Sequence, residues 1–381
     1  MLVHYESAAV KELLGTVSWD FPSANTKLSI HSMHPYPARF IQEIPRALIE
    51  LFPPPPGTSV LDPFCGSGTT LVEAQNRNID SLGIDLHPLA CLIARVKTCP
   101  LTGDLVSEGS LVANRAQRAD VPVPPIPRLD HWFQPPVQKA LASIVGAIRA
   151  VADESLRNAL SVALSRIIVR VSNQESDTRY AAVPKIVSAD FVFSEFQRSV
   201  QLVSTLLSER FETMFRPNAG VRVVNADIRA VPERALTPVG LVVTSPPYPN
   251  AYEYWLYHKY RMYWLGMDPL AVRRDEIGAR PHYFQKNPHT DVDFVLAMKS
   301  AFVVIADTLV DDGVACFLVG DSVIRGRKVD NLSLLSEAAR ASGFELLGMT
   351  TRRINENRKS FNRSIGRLKH EALAVFGRAE R

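Results

Sequence analysis

Residues 59–85 contain two short apolar runs joined by a glycine turn and a helical pattern. The first run, residues 59–61, enters the turn at residues 62–69, and a helical pattern follows at residues 71–75. The second run ends in Asp85. This order of strand, turn, helix and strand is typical of α/β proteins.

The turn places two glycines next to the start of a helix. Gly66 and Gly68 let the backbone approach a ligand closely, and the helix start offers free N–H groups. A phosphate-binding loop is disfavoured, because Gly68 is followed by Thr69 and not by lysine. In dinucleotide-type folds an acid about 20 positions after such a turn accepts ribose hydroxyls, and Asp85 follows Asp62 by 23 positions. A purely structural turn fits this segment about as well.

Residues 241–248 predict a buried strand that ends in an unusual turn. Ser245-Pro246-Pro247-Tyr248 closes the segment, and its two prolines lack N–H groups and fix a rigid extended backbone. The carbonyls of Ser245 and Pro246 therefore need donors from outside, which a planar amino group could supply. The Ser245 hydroxyl could accept a second hydrogen from that amine, and the Tyr248 ring could stack on a flat substrate. Taken alone, the octet fits a turn that caps a buried strand better than it fits a site.

Together these segments resemble the amino-methylating DNA methyltransferases that use S-adenosylmethionine (AdoMet). The family's cofactor turn resembles residues 62–69, and its catalytic tetrad resembles Ser245-Pro246-Pro247-Tyr248. Residues 34–40 are similar to the segment that closes over the methionine end of AdoMet, and residues 225–228 to the element whose acid lies near the adenine ring. The resemblance implies that Asp85 holds the ribose. The Ser form of the tetrad is usually associated with the N4 amine of cytosine.

The resemblance assigns residues to two parts of one site and implies no metal. An aromatic-rich run at residues 252–264 follows the tetrad, and part of it should line the substrate cleft, since one helix face cannot bury all of it. The implied catalytic residues are Ser245, Pro246, Pro247 and Tyr248. The implied AdoMet-binding residues are Tyr36, Ala38, Arg39, Phe40, Asp62, Pro63, Phe64, Gly66, Gly68, Thr69, Asp85, Leu86, Asp227 and Ile228.

The resemblance also implies a fold, an α/β Rossmann-like AdoMet-dependent methyltransferase fold. Its mostly parallel sheet should close with an antiparallel hairpin, which residues 345–349 and 372–376 are predicted to form. Asp227 lies 142 positions after Asp85, further than in the commonest family arrangement. The sequence therefore predicts an insertion between these two acids.

The insertion is predicted to be mainly helical and to contain the target-recognition region. A proline-rich connector at residues 121–127 precedes a helical pattern that extends to about residue 215. The predicted organisation is a first part of the methyltransferase domain at residues 1–100, the inserted region at 101–220, and the second part at 221–381.

The formal net charge of +4 is too small to indicate a nucleic-acid partner by itself. Residues 351–370, however, concentrate seven basic residues against one acid, Glu356. Such a segment suits a phosphate backbone, and without the tetrad a solvated basic hairpin would fit about equally well. With the tetrad, DNA contact is the prediction, through Arg352, Arg353, Arg358, Lys359 and Arg363.

Composition indicates an ordinary globular chain, with 46% hydrophobic residues in 381. No apolar run reaches the roughly 18 residues of a membrane span, and the first residues lack a signal-peptide pattern. The four cysteines form no C-x-x-C pair, which favours reduced thiols over disulfides or zinc. We therefore expect a DNA-associated cytoplasmic protein of a bacterium or archaeon, with no membrane partner.

The residues and the resemblance together predict methyl transfer from AdoMet to the N4 amine of cytosine in duplex DNA, after base flipping. Cytosine C5 methylation would need a Pro-Cys nucleophile, and the sequence has no such pair. N6-adenine methylation and RNA or tRNA amino methylation stay open as alternatives. A vestigial DNA-binding relative would have lost the site, whereas Asp85 and the tetrad are present. The expected partners are double-stranded DNA and, in a restriction-modification pair, a cognate endonuclease acting on the same site; monomer and homodimer both stay open.

Overall fold

A computed structural model describes residues 5–22, 29–36, 41–177, 179–213, 219–231, 237–249, 253–354 and 370–379 of the chain. Its strands, in chain order, are β1 (Ser59–Asp62), β2 (Ser81–Asp85), β3 (Gln174–Ser176), β4 (Arg179–Ala182), β5 (Val221–Asn225), β6 (Val239–Thr244), β7 (Leu309–Gly320), β8 (Ser322–Ile324), β9 (Arg327–Val329), β10 (Phe344–Arg353) and β11 (His370–Arg378).

Seven strands form one sheet in the order β5-β2-β1-β6-β7-β11-β10. The five strands from β5 to β7 run parallel to one another, and β11 is antiparallel to both β7 and β10. In the closing pair, Leu346 lies opposite Phe376 and Met349 opposite Ala374. The predicted α/β fold, with a mostly parallel sheet and an antiparallel closing hairpin, is therefore confirmed. β3 pairs with β4 and β8 with β9 in separate two-stranded hairpins.

Helices cover both faces of the sheet and fill the long connection between β2 and β5. None of the described helices is long and apolar enough to cross a membrane. The helices, in chain order, are α1 (Ser7–Gly15), α2 (Glu43–Leu51), α3 (Thr69–Gln75), α4 (Pro88–Thr98), α5 (Leu105–Arg118), α6 (Leu129–Trp132), α7 (Pro135–Arg149), α8 (Glu154–Val171), α9 (Ala189–Thr213), α10 (Tyr254–Tyr257), α11 (Lys259–Trp264), α12 (Pro269–Asp275), α13 (Arg280–Phe284), α14 (Asp291–Thr308) and α15 (Asn331–Arg340).

The central strands are apolar throughout because both faces of the sheet are covered. Successive strand residues point to opposite faces, so each strand serves two cores. Val60 and Val243 share one core with α1 and α2, whereas Leu61 and Val242 share the other with α14 and α15. Every residue of β6 is buried, and the chain leaves this packed strand directly into the tetrad.

The connection from β2 to β5 carries α4 and then five further helices, α5 to α9. Buried residues of this helical region belong to the same apolar cluster as Ile93 of α4 and Trp264 of α11. The predicted helical insertion is therefore present, and it packs against α4 and α11 through a shared core. Its boundaries at residues 101 and 220 stay a prediction.

Candidate active site

The predicted residues converge on one cavity at the carboxyl ends of β1, β2 and β6, the edge where open parallel sheets bind ligands. The predicted residues that line it are Tyr36, Pro63, Phe64, Gly66, Thr69, Asp85, Leu86, Asp227, Ile228, Ser245 and Pro247. Asp62, Gly68, Pro246 and Tyr248 do not line it, and Ala38, Arg39 and Phe40 lie outside the described residues.

The two glycines of the turn have different surroundings. Gly66 and Gly68 both have positive φ angles, 49° and 81°, which residues with side chains rarely adopt. A β carbon on Gly68 would lie 2.8 Å from the β carbon of Ala94, so this glycine lets the turn approach α4. A β carbon on Gly66 would lie 3.7 Å from the ring of Tyr36, at the cavity. Gly66 therefore borders the ligand space, and Gly68 supports helix packing.

Asp62 connects the turn to the strand that carries the tetrad. Its carboxylate is fully buried and accepts hydrogen bonds from the hydroxyls of Thr70, at 2.6 Å, and Thr244, at 2.7 Å. The backbone N–H of Phe64 donates to the same carboxylate at 3.2 Å. Burial raises the pKa of Asp62 to about 6, against the opposing effect of these bonds. Asp62 thus holds the ends of β1 and β6 in register behind the cavity.

Asp85 faces the cavity from the end of β2. Its Oδ2 accepts the backbone N–H of Gly66 and its Oδ1 that of His87, both at 2.8 Å. The residue is partly exposed, and it has no cationic partner among the described residues. Burial of the carboxyl raises its pKa to about 6. Each oxygen keeps a lone pair that can accept a hydroxyl from a ligand.

The tetrad presents its first residue to the cavity. The hydroxyl of Ser245 lies 3.3 Å from that of Tyr248, whose oxygen is in turn 3.5 Å from the carbonyl of Leu318. Burial raises the pKa of Tyr248, so its hydroxyl stays protonated at neutral pH. Among the described residues, no group donates a hydrogen bond to the carbonyl of Ser245 or Pro246. These carbonyls remain available to an amine, as the two prolines predict.

Asp227 lies beside β5 at the far wall of the cavity. Its side chain accepts the backbone N–H of Arg229 at 2.9 Å and pairs with the guanidinium of that arginine at 2.5 Å. The same guanidinium donates to the carbonyl of Asp275 at 2.6 Å. Asp227 therefore lines the cavity with its charge already neutralised by a neighbour, and its place near the adenine stays a prediction.

Sequence patterns missed most of the residues that close the cavity after the tetrad. Tyr254 lies in the aromatic-rich run and stacks on Tyr36, with ring centroids 5.6 Å apart and planes at 17°. Glu276, Asp275 and Ile277 come from the end of α12 and the loop after it, where no motif marks them. Tyr254 belongs to the run at residues 252–264, part of which was predicted to line the cleft, whereas nothing local in the sequence distinguishes Glu276 from a surface acid.

A buried aromatic cluster joins the cavity to the helical region. The ring of Tyr36 stacks on that of His258, with ring centroids 4.8 Å apart. The His258 ring meets the His87 ring edge-on and is tilted against the His34 ring. His34 Nε2 lies 2.9 Å from the hydroxyl of Ser165 on α8. Burial lowers the pKa of all three histidines, so they are neutral at pH 7. The cluster fixes Tyr36 at the cavity by packing and not by charge.

The predicted DNA-binding residues fall in two groups. Arg352 lies on β10 with its guanidinium buried, where it donates to the carbonyl of Trp19 at 3.0 Å and pairs with Glu371 at 2.6 Å. Because Trp19 and Glu371 hold the Arg352 guanidinium inside the protein, it is not exposed to a DNA phosphate. Arg353 is exposed at the end of β10. Arg358, Lys359 and Arg363 lie outside the described residues.

The first quarter of the chain matches a known family model. Residues 5–95 match the family model described as DNA methylase, N6_N4_Mtase. The matched segment contains β1, the cofactor turn and β2.

Three curated relatives are type II methyltransferases. The chain is 28% identical over 170 residues to M.MvaI of Kocuria varians, covering 41% of this chain and 37% of that protein. It is 45% identical over 71 residues to M.MjaII of Methanocaldococcus jannaschii, with coverages of 18% and 13%. It is 24% identical over 292 residues to M.BsoBI of Geobacillus stearothermophilus, with coverages of 66% and 55%. The chain thus spans at most about half the length of these relatives.

Proposed function

The chain is a relative of the amino-methylating DNA methyltransferases, as its motifs predict, and from that premise we propose that it methylates an exocyclic amine in DNA. The main support for this proposal is that Gly66, Asp85 and Ser245 line the same cavity. A cofactor turn, a ribose-type acid and the tetrad serine border the same space, so a methyl donor and an amine could meet there.

The methyltransferase relatives support AdoMet as the cofactor, and the cavity fits it. Asp85 offers a carboxylate with lone pairs for ribose hydroxyls, and Phe64 and Ile228 offer apolar surface for a flat ring. We propose that Asp85 holds the ribose and that Asp227 and Ile228 lie near the adenine. When bound, AdoMet supplies a methyl group on a positively charged sulfur.

The tetrad can make an amine more nucleophilic. The lone pair of an exocyclic amine is conjugated into the base, so a planar amine attacks poorly. If the Ser245 hydroxyl and the Pro246 carbonyl accept its two hydrogens, they favour the tetrahedral nitrogen of the transition state over the planar ground state. The Tyr248 hydroxyl, 3.3 Å from Ser245, would orient the serine. The stacking role predicted for the Tyr248 ring stays a prediction.

We propose that the target is the N4 amine of cytosine. A neutral serine hydroxyl replaces the carboxylate or amide that begins the related tetrads, and the resemblance associates this form with cytosine. A paired amine is buried in the duplex, so the base must leave the stack to reach the cavity. N6-adenine is the alternative that shares every other feature of the site.

An exposed aromatic ring beside two arginines, on the helix after the loop that contacts the tetrad, favours a nucleic-acid substrate. Gly278 contacts the backbone of Tyr248, and α13 begins two residues later. This helix ends at Phe284, whose side chain is 46% exposed. The guanidinium carbons of Arg280 and Arg325 lie 5.1 Å and 5.6 Å from the centroid of the Phe284 ring. Cations beside an exposed ring suit phosphates next to unstacked bases.

The remaining parts of the proposal concern recognition and partners. The helical region at 101–220 would select the sequence, and Arg353, Arg358, Lys359 and Arg363 would contact phosphates. A cognate endonuclease acting on the same site and a cytoplasmic location on DNA follow from the resemblance to type II methyltransferases.

Transfer of labelled methyl from AdoMet tests this proposal directly. The protein should label duplex DNA and leave bulk tRNA unlabelled, and the Ser245→Ala variant should label DNA poorly. Labelling of tRNA in preference to DNA would replace DNA by RNA as the substrate. Absence of labelling on both nucleic acids, with AdoMet bound, would contradict the activity.

A further inference from the structure

Glu276 is a buried carboxyl group in the cavity wall that the motifs leave without a role. It follows α12, is 8% exposed, and lines the cavity together with Tyr254 and Ser245. Two residues further along, a β carbon on Gly278 would lie 2.3 Å from the carbonyl oxygen of Tyr248. The loop that carries Glu276 is therefore pressed against the tetrad, and only glycine allows that approach.

One oxygen of Glu276 has a partner and the other does not. Oε1 accepts the backbone N–H of Tyr254 at 3.0 Å. The buried Oε2 has no hydrogen-bond partner within the part of the chain that the structure describes. Buried polar atoms in native proteins are nearly always satisfied, so an oxygen without a partner in a cavity wall is a candidate for contact with a ligand.

The surroundings of Glu276 keep it protonated when no ligand is present. Burial raises its pKa to about 8, and the negative charges of Glu253 and Asp85 act in the same direction. The N–H groups of Tyr254 and Trp255 oppose the shift. The nearby phenol of Tyr254 is neutral, because burial raises its pKa as well.

The charge of the cavity suits a cation. Four acidic side chains line it, and no described lining residue is a lysine or an arginine. Asp227 and Asp275 each pair with a neighbouring arginine. Asp85 and Glu276 have no cationic partner among the described residues, and His87 is neutral, because burial lowers its pKa to about 4. Two carboxyl groups are thus left without positive charge.

We propose that Glu276 is the counter-charge for the cationic methyl donor. In the free protein the carboxyl group is protonated; when the donor enters, Glu276 releases this proton to solvent and faces the positive sulfur as a carboxylate. The proposal rests on AdoMet being the cofactor of the proposed function. The demethylated product, S-adenosylhomocysteine, lacks the positive sulfur, so Glu276 favours the donor over the product.

Calorimetric titration of the full chain measures this proton. At about pH 7, titrations of AdoMet in two buffers of different ionisation enthalpy should show release of roughly half a proton or more per bound donor. S-adenosylhomocysteine should release clearly less. Glu276→Gln, which keeps the size and the acceptor for Tyr254, should lose most of the release and at least about tenfold of the preference for AdoMet over the product. Asp291→Asn, an acid that is paired with Arg327 and does not line the cavity, is the matched control and should keep both.

The wild-type protein gives a second readout that needs no variant. AdoMet affinity should rise as the pH rises from about 7 to 8, because the proton on Glu276 competes with the donor, and then level off. Unchanged proton release and selectivity in Glu276→Gln, or a flat wild-type profile between these pH values, would overturn the role of Glu276 and leave the cofactor assignment standing. No detectable AdoMet binding by the wild-type protein would overturn both.

Discussion

The ends of β1 and β2 carry the same residue type in neighbouring parallel strands, yet the two aspartates have different surroundings. Asp62 is fully buried, and threonine hydroxyls and a turn N–H occupy its oxygens. Asp85 is bound by two backbone N–H groups and borders the cavity. Burial raises the pKa of each to about 6.

The difference shows that ligand contact depends on what the neighbouring strand supplies. The strand beside Asp62 on the tetrad side, β6, ends in Thr244, which binds the carboxylate and closes the space. β5, the strand beside Asp85, ends in Asn225. The Asn225 side-chain amide donates to the backbone carbonyl of Asp85, so it does not occupy the carboxylate. The first aspartate therefore stabilises the site, and the second is expected to bind the cofactor.

The largest expected effect is on stability. Asp62→Ala removes three buried hydrogen bonds and leaves the buried hydroxyl of Thr244 without its acceptor, so the free energy of unfolding should fall by about 3 kcal/mol. Denaturant titration measures it. If Asp62 were mainly a cofactor ligand, the variant would lose AdoMet affinity and keep its stability.

Ser245→Ala tests the strand end that Asp62 supports. The turnover number should fall by about 100-fold or more, the cost of one transition-state hydrogen bond, while AdoMet affinity stays within about twofold. Single-turnover kinetics on duplex DNA and calorimetry separate the two quantities. Ser300→Ala, on α14 and outside the cavity, is the control and should change neither. A loss of affinity without a loss of turnover would assign Ser245 to the cofactor.

Asp85→Ala should produce the opposite result from Asp62→Ala. Loss of charge-assisted bonds to the ribose, worth about 1.5–3 kcal/mol, lowers AdoMet affinity by roughly 10- to 150-fold. The fold should survive, because Asp85 borders a cavity and its backbone partners can turn to water. Calorimetry that finds an unchanged dissociation constant would contradict the assignment of Asp85.

The smallest effect is a change of ligand affinity with pH that should distinguish Asp85 from Asp62. S-adenosylhomocysteine isolates Asp85, because it lacks the charge that Glu276 would face. Since Asp85 must be ionised to accept hydroxyls and its pKa is about 6 in the free protein, affinity should be constant above this pH and fall by up to about tenfold per unit below it. The step should disappear in Asp85→Asn and persist in Asp62→Asn. Persistence in the Asp85 variant would move the titrating group elsewhere.

The parts of the fold that the sequence predicted are those that local residue order determines. The strand, glycine turn and tetrad were evident because apolar runs, glycines and prolines restrict the backbone directly. The antiparallel closing pair was predicted from two apolar runs around a basic segment, and β10 with β11 confirms it.

The remaining features depend on contacts between distant residues. Asp62 and Asp85 look alike in sequence, and their roles differ in part because Thr244, 182 positions after Asp62, binds the Asp62 carboxylate. Arg352 was predicted at a DNA surface, yet Trp19 and Glu371 hold its side chain inside the protein. Glu276 lies in the cavity wall because Gly278 lets the loop that carries it contact the tetrad. No local sequence pattern indicates this contact.

The identity of the methylated base is the most direct test of the account. Duplex DNA methylated by the protein should be digested to nucleosides and analysed by mass spectrometry. The account predicts N4-methylcytosine, formed in the cavity that Asp85 and Ser245 share. N6-methyladenine would contradict the base assignment and leave the amine mechanism standing, whereas 5-methylcytosine would contradict the mechanism itself.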